Sequence, residues 1–183
     1  MIYLPGFEPA APEGADPSGD EWYTPPFILH WLGPIALDPC WAPGSHVRAA
    51  ATIDQRRGGC GLAQQWDPVG AGIVFVNPPF SAAGRWLEKC RHEAARLAVP
   101  VVALVPAVPG DGPWAAQVWG RAAAVGFIRG RVDFTAPDLS VAQKGRGHAL
   151  IVYAKPATAA ALVQECQRRA AQHAQAPAWV CEV

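Results

Sequence analysis

The stretch Gly72-Ile73-Val74-Phe75-Val76-Asn77-Pro78-Pro79-Phe80-Ser81 leaves few folds open to this chain. After a glycine comes a short apolar run rich in β-branched residues, the composition of a buried strand. It stops at two prolines. Pro79 drives Pro78 out of the helical region, and neither ring carries an N–H to continue a ladder. A stiff extended corner therefore ends the strand. In an open α/β sheet the carboxyl end of a strand is where ligands bind. The corner offers there an amide side chain (Asn77), backbone carbonyls and an aromatic ring (Phe80).

Those groups suit an exocyclic amine on a nucleobase. Such an amine is planar and a poor nucleophile, because its lone pair is delocalised into the ring. The Asn77 side-chain carbonyl can accept one of its two N–H groups and the Pro78 carbonyl the other. Holding both favours a pyramidal nitrogen with its lone pair aimed outward. Phe80 provides a face for stacking, worth about 1–3 kcal/mol per base. The competing reading is a plain Pro-Pro strand end with a polar turn residue, in a chain rich in proline.

At 183 residues the chain is sized for one domain with a real core. Its 15 Lys+Arg balance 15 Asp+Glu, so any basic surface must be local. The 5 cysteines are scattered without a Cys-x-x-Cys pair, which argues against a zinc site or a disulfide framework and predicts reduced thiols. No apolar run approaches the roughly 18 residues of a membrane span, and no basic-then-apolar leader opens the chain; a soluble, cytoplasmic protein is expected.

Residues 1–20 hold four prolines and little periodicity, and are expected to form an irregular arm. Residues 21–176 form the single domain, and 177–183 a loose tail. Phe27 to Leu32 is a short helix stopped by Gly33-Pro34. Ile35-Ala36-Leu37 is a strand delivering Asp38 to its carboxyl end. Val47 to Ile53 is a second strand with Asp54 just beyond, sixteen residues past Asp38; an acid there commonly holds ribose hydroxyls in nucleotide-binding folds. Both acids also fit ordinary turns.

Arg56 to Leu62 reads as a flexible loop, and Trp66 as core or as the wall of a nucleotide site. After Ser81, a candidate cap, a helix runs to about Ala98 with Trp86, Leu87, Cys90, Ala94 and Leu97 on one face. Val99 to Pro106 is a fully buried strand. Trp114 to Val125 is expected to be helical with Val118 and Trp119 inward. Gly126-Phe127-Ile128 opens a strand that continues through Arg129 and Arg131. Thr135 to Gly147 is a polar hairpin, His148 to Tyr153 the last strand, and Thr158 to about Gln175 a helix.

Asn77-Pro78-Pro79-Phe80 resembles the (Asp/Asn/Ser)-Pro-Pro-(Tyr/Phe/Trp) motif of S-adenosylmethionine-dependent amino-methyltransferases. Glu21-Trp22-Tyr23-Thr24-Pro25-Pro26, Leu37-Asp38-Pro39-Cys40, Val74 to Ser81, Val101 to Ala107 and Phe127 to Phe134 follow in the order seen in the Dam-type DNA adenine-N6 methyltransferases of phages and prophages. The similarity covers about Glu21 to Tyr153. It implies an α/β, Rossmann-like methyltransferase fold: a mostly parallel sheet with an antiparallel edge hairpin and helices on both faces. It implies S-adenosylmethionine as cofactor, held by Tyr23, Thr24, Pro25, Asp38, Pro39, Cys40, Asp54 and Asn77. Tyr23 to Pro25 would lie over its methionine end, and Asp38 would meet its amino group. Catalysis would fall to Asn77, Pro78, Pro79 and Phe80, with no metal.

The substrate implied is DNA with a flipped adenine, as base-modifying enzymes require. Arg129 and Arg131 alternate on the expected strand and so share a face; with Lys144 and Arg146 they form a candidate phosphate contact. The loops at Arg56-Arg57 and Pro109 to Trp114 are further DNA candidates. Two departures stand out. The acid at Asp38 is followed by Cys40-Trp41-Ala42-Pro43 rather than a Gly-x-Gly turn, and Cys60 precedes Gly61-Leu62 where the family often has an acid. Two alternatives stay open: an amino-methyltransferase for RNA adenine, cytosine N4 or protein glutamine, and a non-catalytic nucleic-acid-binding descendant.

Overall fold

The computed structural model describes residues 22–54, 57–135, 141–143 and 147–181. The expected arm over residues 1–20, together with Arg56, Lys144, Arg146 and residues 182–183, lies outside the described residues.

Helix α1 (Pro26–Leu32) has proline in its first turn and ends where the Gly33 N–H reaches the Leu29 carbonyl at 3.1 Å. Strands β1 (Ile35–Trp41), β2 (Ala49–Asp54) and β3 (Ile73–Val76) follow. Next come α2 (Ala83–Arg96), β4 (Val101–Pro106), α3 (Gly112–Gln117) and β5 (Ala124–Phe127). The chain continues with β6 (Asp133–Thr135), β7 (Val141–Gln143), β8 (His148–Tyr153), α4 (Pro156–Ala170) and β9 (Ala178–Cys181).

Seven strands form one sheet in the order β2-β1-β3-β4-β8-β5-β9. The β1–β2, β1–β3 and β3–β4 pairs are parallel; β8 runs antiparallel between β4 and β5, and β9 antiparallel to β5. Alternation along the strands feeds two cores. Ile73 and Phe75 of β3, with Val102 and Leu104 of β4, pack under Trp31 of α1 and Val163 and Cys166 of α4. Val74, Val76, Val101 and Ala103 pack on the opposite face against Trp86, Leu87 and Cys90 of α2 and Trp114 of α3. This is the expected α/β layering, with helices on both faces of a mostly parallel sheet.

Several expectations change. The antiparallel character of the sheet comes from β8 and β9, whereas the hairpin β6–β7 makes its own two-stranded sheet. All six residues of β8 are buried, which suits an interior position rather than an edge. The tail is not loose: Ala178–Cys181 pairs with β5. Helix α3 stops at Gln117, so Val118 is buried but Trp119 is 39% exposed, its indole N–H donating to the Pro109 carbonyl. Ser81 lies in a 3-10 turn, Phe80–Ala82, and α2 starts after Ala82 without a side-chain cap.

Helix α2 also carries a buried ion pair that the apolar periodicity concealed. Lys89 Nζ lies 2.7 Å from Glu93 Oε1, Arg96 closes on Glu93 Oε2 at 2.5 Å, and Lys89 donates to the Gln64 carbonyl at 2.8 Å. Arg96 also donates to the Trp66 carbonyl. Trp66 is core: it is fully buried, donates to the Gly61 carbonyl at 2.7 Å, and has Lys89 Nζ over its ring at 5.7 Å.

Candidate active site

The carboxyl ends of β1, β2, β3 and β4 lie side by side along one edge of the sheet, joined there by the start of β8. That edge collects the chemistry-bearing residues. Asn77 follows directly on the buried run of β3. Its Nδ2 donates to the Trp22 carbonyl at 2.6 Å, and its Oδ1 is buried with no hydrogen-bond partner among the described residues. The amide is thus oriented by the backbone of the N-terminal segment, with its acceptor left open.

The Pro79 carbonyl is taken by the Ala82 N–H at 3.0 Å. Pro78 is buried. The Phe80 ring meets Phe134 at 5.7 Å and His148 at 5.4 Å between centroids.

On the neighbouring strand, Asp38 is 4% exposed and its Oδ1 accepts the Cys40 N–H at 3.0 Å. Burial pushes its carboxyl up to about 7 from 3.8, against the lowering effect of the Cys40 hydrogen bond. Cys40 Sγ donates to the Asn77 carbonyl at 3.2 Å, tying the ends of β1 and β3 together. Burial, with the Asp38 charge beside it, raises the Cys40 thiol well above its ordinary range, so it stays a donor. In place of a glycine turn, β1 runs on through Pro39 to Trp41 with an irregular register against β2, as a residue lacking an N–H requires. Gly61 packs against this segment so closely that a Cβ would sit 2.1 Å from the Pro39 carbonyl oxygen.

Asp54 is the last residue of β2 and pairs with Arg57 at 3.5 Å. With Trp41, Thr52, Gly58, Gly59 and Gln64 they line a cleft of about 360 Å³. A second cleft of about 510 Å³ opens beside Leu37, Ala51 and Ile53. Neither is lined by Asn77 or Phe80.

Tyr23 to Pro25 is buried and anchored at several points. Tyr23 bridges to Thr135 and its hydroxyl donates to the Pro43 carbonyl at 2.6 Å; His46 Nδ1 sits 3.1 Å from the Thr24 carbonyl. Thr24 Oγ1 is buried without a partner among the described residues.

Arg129 and Arg131 do not lie on a strand. β5 ends at Phe127, and Gly130 takes a φ of 73°, turning the chain between two exposed arginines. Strand alternation therefore does not place the two side chains on one face. β5 is also separated from β3 by β4 and β8.

Two residues at this edge are not among the expected site residues. Trp22 supplies the carbonyl that orients Asn77. His148 heads β8 opposite Pro106, fully buried, with neither ring nitrogen hydrogen-bonded among the described residues. Its only sequence signal is a lone histidine opening an apolar run.

Among the described residues no group of three or more His, Cys, Asp or Glu side chains is placed to hold a metal ion, and no helix is long and apolar enough to cross a membrane. A search of curated proteins finds no match. The model of one family, described as DNA N-6-adenine-methyltransferase (Dam), matches residues 13–175. With that match spanning most of its length, and with an Asn-Pro-Pro-Phe corner at the carboxyl edge of its sheet, the chain belongs to the Dam family of DNA adenine-N6 methyltransferases.

Proposed function

We propose that this edge transfers a methyl group from S-adenosylmethionine to N6 of an adenine flipped out of DNA. The observation that carries the reading is Asn77 Oδ1, a buried acceptor with its amide already fixed by Trp22 and its oxygen unused. Leaving such an atom unpaired costs about 1–3 kcal/mol, a cost that an amine donor would offset. Asn77 Oδ1 and the Pro78 carbonyl would accept the two N–H groups of the base, Pro79 would hold the corner rigid, and Phe80 would stack.

The residues fit the cofactor. Thr24 has a buried hydroxyl without a partner among the described residues, Asp38 is a buried acid, and the cleft at Asp54 and Trp41 has the size of a small-ligand site. Tyr23, Thr24, Pro25, Asp38, Pro39 and Cys40 would hold the methionine end, and Asp54 the ribose. When bound, the cofactor supplies an electrophilic methyl group on its sulfonium. The chain's own task is then alignment: it orients the amine and excludes water from the corner. Asp38, ionised by contact with the cofactor's ammonium, would fix that end.

Exposed Arg129 and Arg131, with Arg57 at the cleft, are the described cations offered to DNA phosphates; Lys144 and Arg146 join them in the proposal by sequence alone. The ordered motifs also favour a phage or prophage source. The test is methyl transfer by purified protein to adenine-containing DNA, with RNA, cytosine-only DNA and protein as parallel substrates. Transfer to DNA adenine alone is expected. Transfer only to another substrate, or cofactor binding without transfer, would replace the reading.

A further inference from the structure

His148 occupies a position that packing alone does not explain. It opens β8 at the carboxyl edge, in register with Pro106, and its carbonyl accepts the Ile128 N–H at 3.0 Å. The backbone is therefore committed to the sheet. The side chain is fully buried, with Phe80 at 5.4 Å and Phe134 at 4.8 Å between ring centroids. An apolar side chain would fill the same space without burying polar atoms. Instead the ring keeps two nitrogens, both unpartnered among the described residues. Buried polar groups are nearly always satisfied, so each exception asks for an explanation. Here the exception lies against the ring proposed to carry the flipped base, at the same edge as the open oxygen of Asn77.

We propose that His148 is a base-binding residue that donates one ring N–H to a ring nitrogen of the adenine whose amine Asn77 holds. The inference rests on the reading of the corner given above. In adenine the C6 amine is flanked by N1 and N7, which are both acceptors only, so the protein must bring a donor. Burial lowers the imidazole to about 4 from 6.5, so near neutral pH the ring is uncharged with one N–H to give. An uncharged donor meets an uncharged base without stranding a cation in an aromatic pocket.

The experiment compares wild type, His148→Phe and His148→Gln in single-turnover methylation. The substrates are otherwise identical duplexes with adenine, 7-deazaadenine or 1-deazaadenine at the target. Wild type should slow by about tenfold or more on one deaza base, the loss expected when a buried donor is left unpaired. His148→Phe should slow similarly on adenine and cease to distinguish that deaza base. His148→Gln, which keeps a donor, should recover part of the rate. Equal wild-type rates on all three bases overturn the proposal without any variant. The same discrimination in His148→Phe as in wild type overturns it too, and His148→Leu supplies that comparison should the phenylalanine variant not fold. In either case ordinary adenine is still methylated, so the function stands. No transfer to adenine by wild type overturns the function and this proposal together.

Discussion

Two buried polar sites in this molecule are built on opposite principles. On α2, Lys89 and Glu93 have fully buried side chains, yet each charge is met: Lys89 by Glu93 and the Gln64 carbonyl, Glu93 by Lys89 and Arg96. At the carboxyl edge of the sheet, Thr24 Oγ1, Asn77 Oδ1 and both nitrogens of His148 are just as deep, and none has a partner among the described residues. The first site is closed and faces a core of Trp66, Trp86 and Leu87. The second, on the function proposed above, is completed by its ligand. The difference lies in what meets the buried polar atoms: charged side chains within 2.7 Å at the first site, and no described residue at the second.

The largest effect should come from opening the closed site. Glu93→Leu removes the carboxylate that meets the buried Lys89 charge, and we expect a loss of about 3–5 kcal/mol in denaturant unfolding. The double variant Lys89→Met with Glu93→Leu should recover most of it, since an apolar pair of similar volume can replace a buried ion pair. Wild-type stability in the single variant would show that the pair carries no structural weight.

Asn77→Ala should do the reverse. Methyl transfer is expected to fall by ~10²–10³, the usual result of removing one preorganised polar partner. Affinity for S-adenosylhomocysteine and the thermal midpoint should change little, because the lost acceptor matters chiefly in the transition state. Turnover at the wild-type rate would reduce the corner to a strand end.

The open site should also report on pH, through two groups of opposite sign. In the free protein Asp38 is pushed up to about 7, so the folded state holds its proton longer than the unfolded chain does, and this contribution to stability is lost as pH rises from about 4 to 7. His148 is lowered to about 4, so its contribution is present above 6.5 and lost as pH falls towards 4. Relative to wild type, His148→Phe should lose stability as pH rises through that window and Asp38→Asn as it falls. The same Asp38 ionisation should strengthen S-adenosylhomocysteine binding about tenfold between pH 6 and 8, an increase absent in Asp38→Asn. Calorimetry at both pH values decides it; a flat wild-type profile removes Asp38 from the site.

The smallest effect belongs to the exposed arginines. Arg131→Ala should flatten the log–log salt dependence of DNA binding by about one unit and leave the single-turnover rate at saturation unchanged. Identical slopes would mark Arg129 and Arg131 as ordinary surface charge.

Much of this was legible in the chain itself. The apolar runs at Ile73–Val76 and Val101–Pro106 specify buried parallel strands because no amphipathic alternative suits them, and the paired prolines fix where the first must stop. Asp38 and Asn77 reach the same edge because parallel neighbours share a direction. What local sequence could not determine was long-range pairing. Residues past Pro177 look like a tail until β5 offers them an unpaired edge. Arg129 and Arg131 look like alternating strand residues until the left-handed Gly130 is seen to turn the chain between them. Above all, the sequence shows that Asn77, Lys89 and His148 are polar, but not which has its hydrogen bonds met. The partners come from Trp22, Gln64 and no described residue respectively, and only the packing of distant segments decides that.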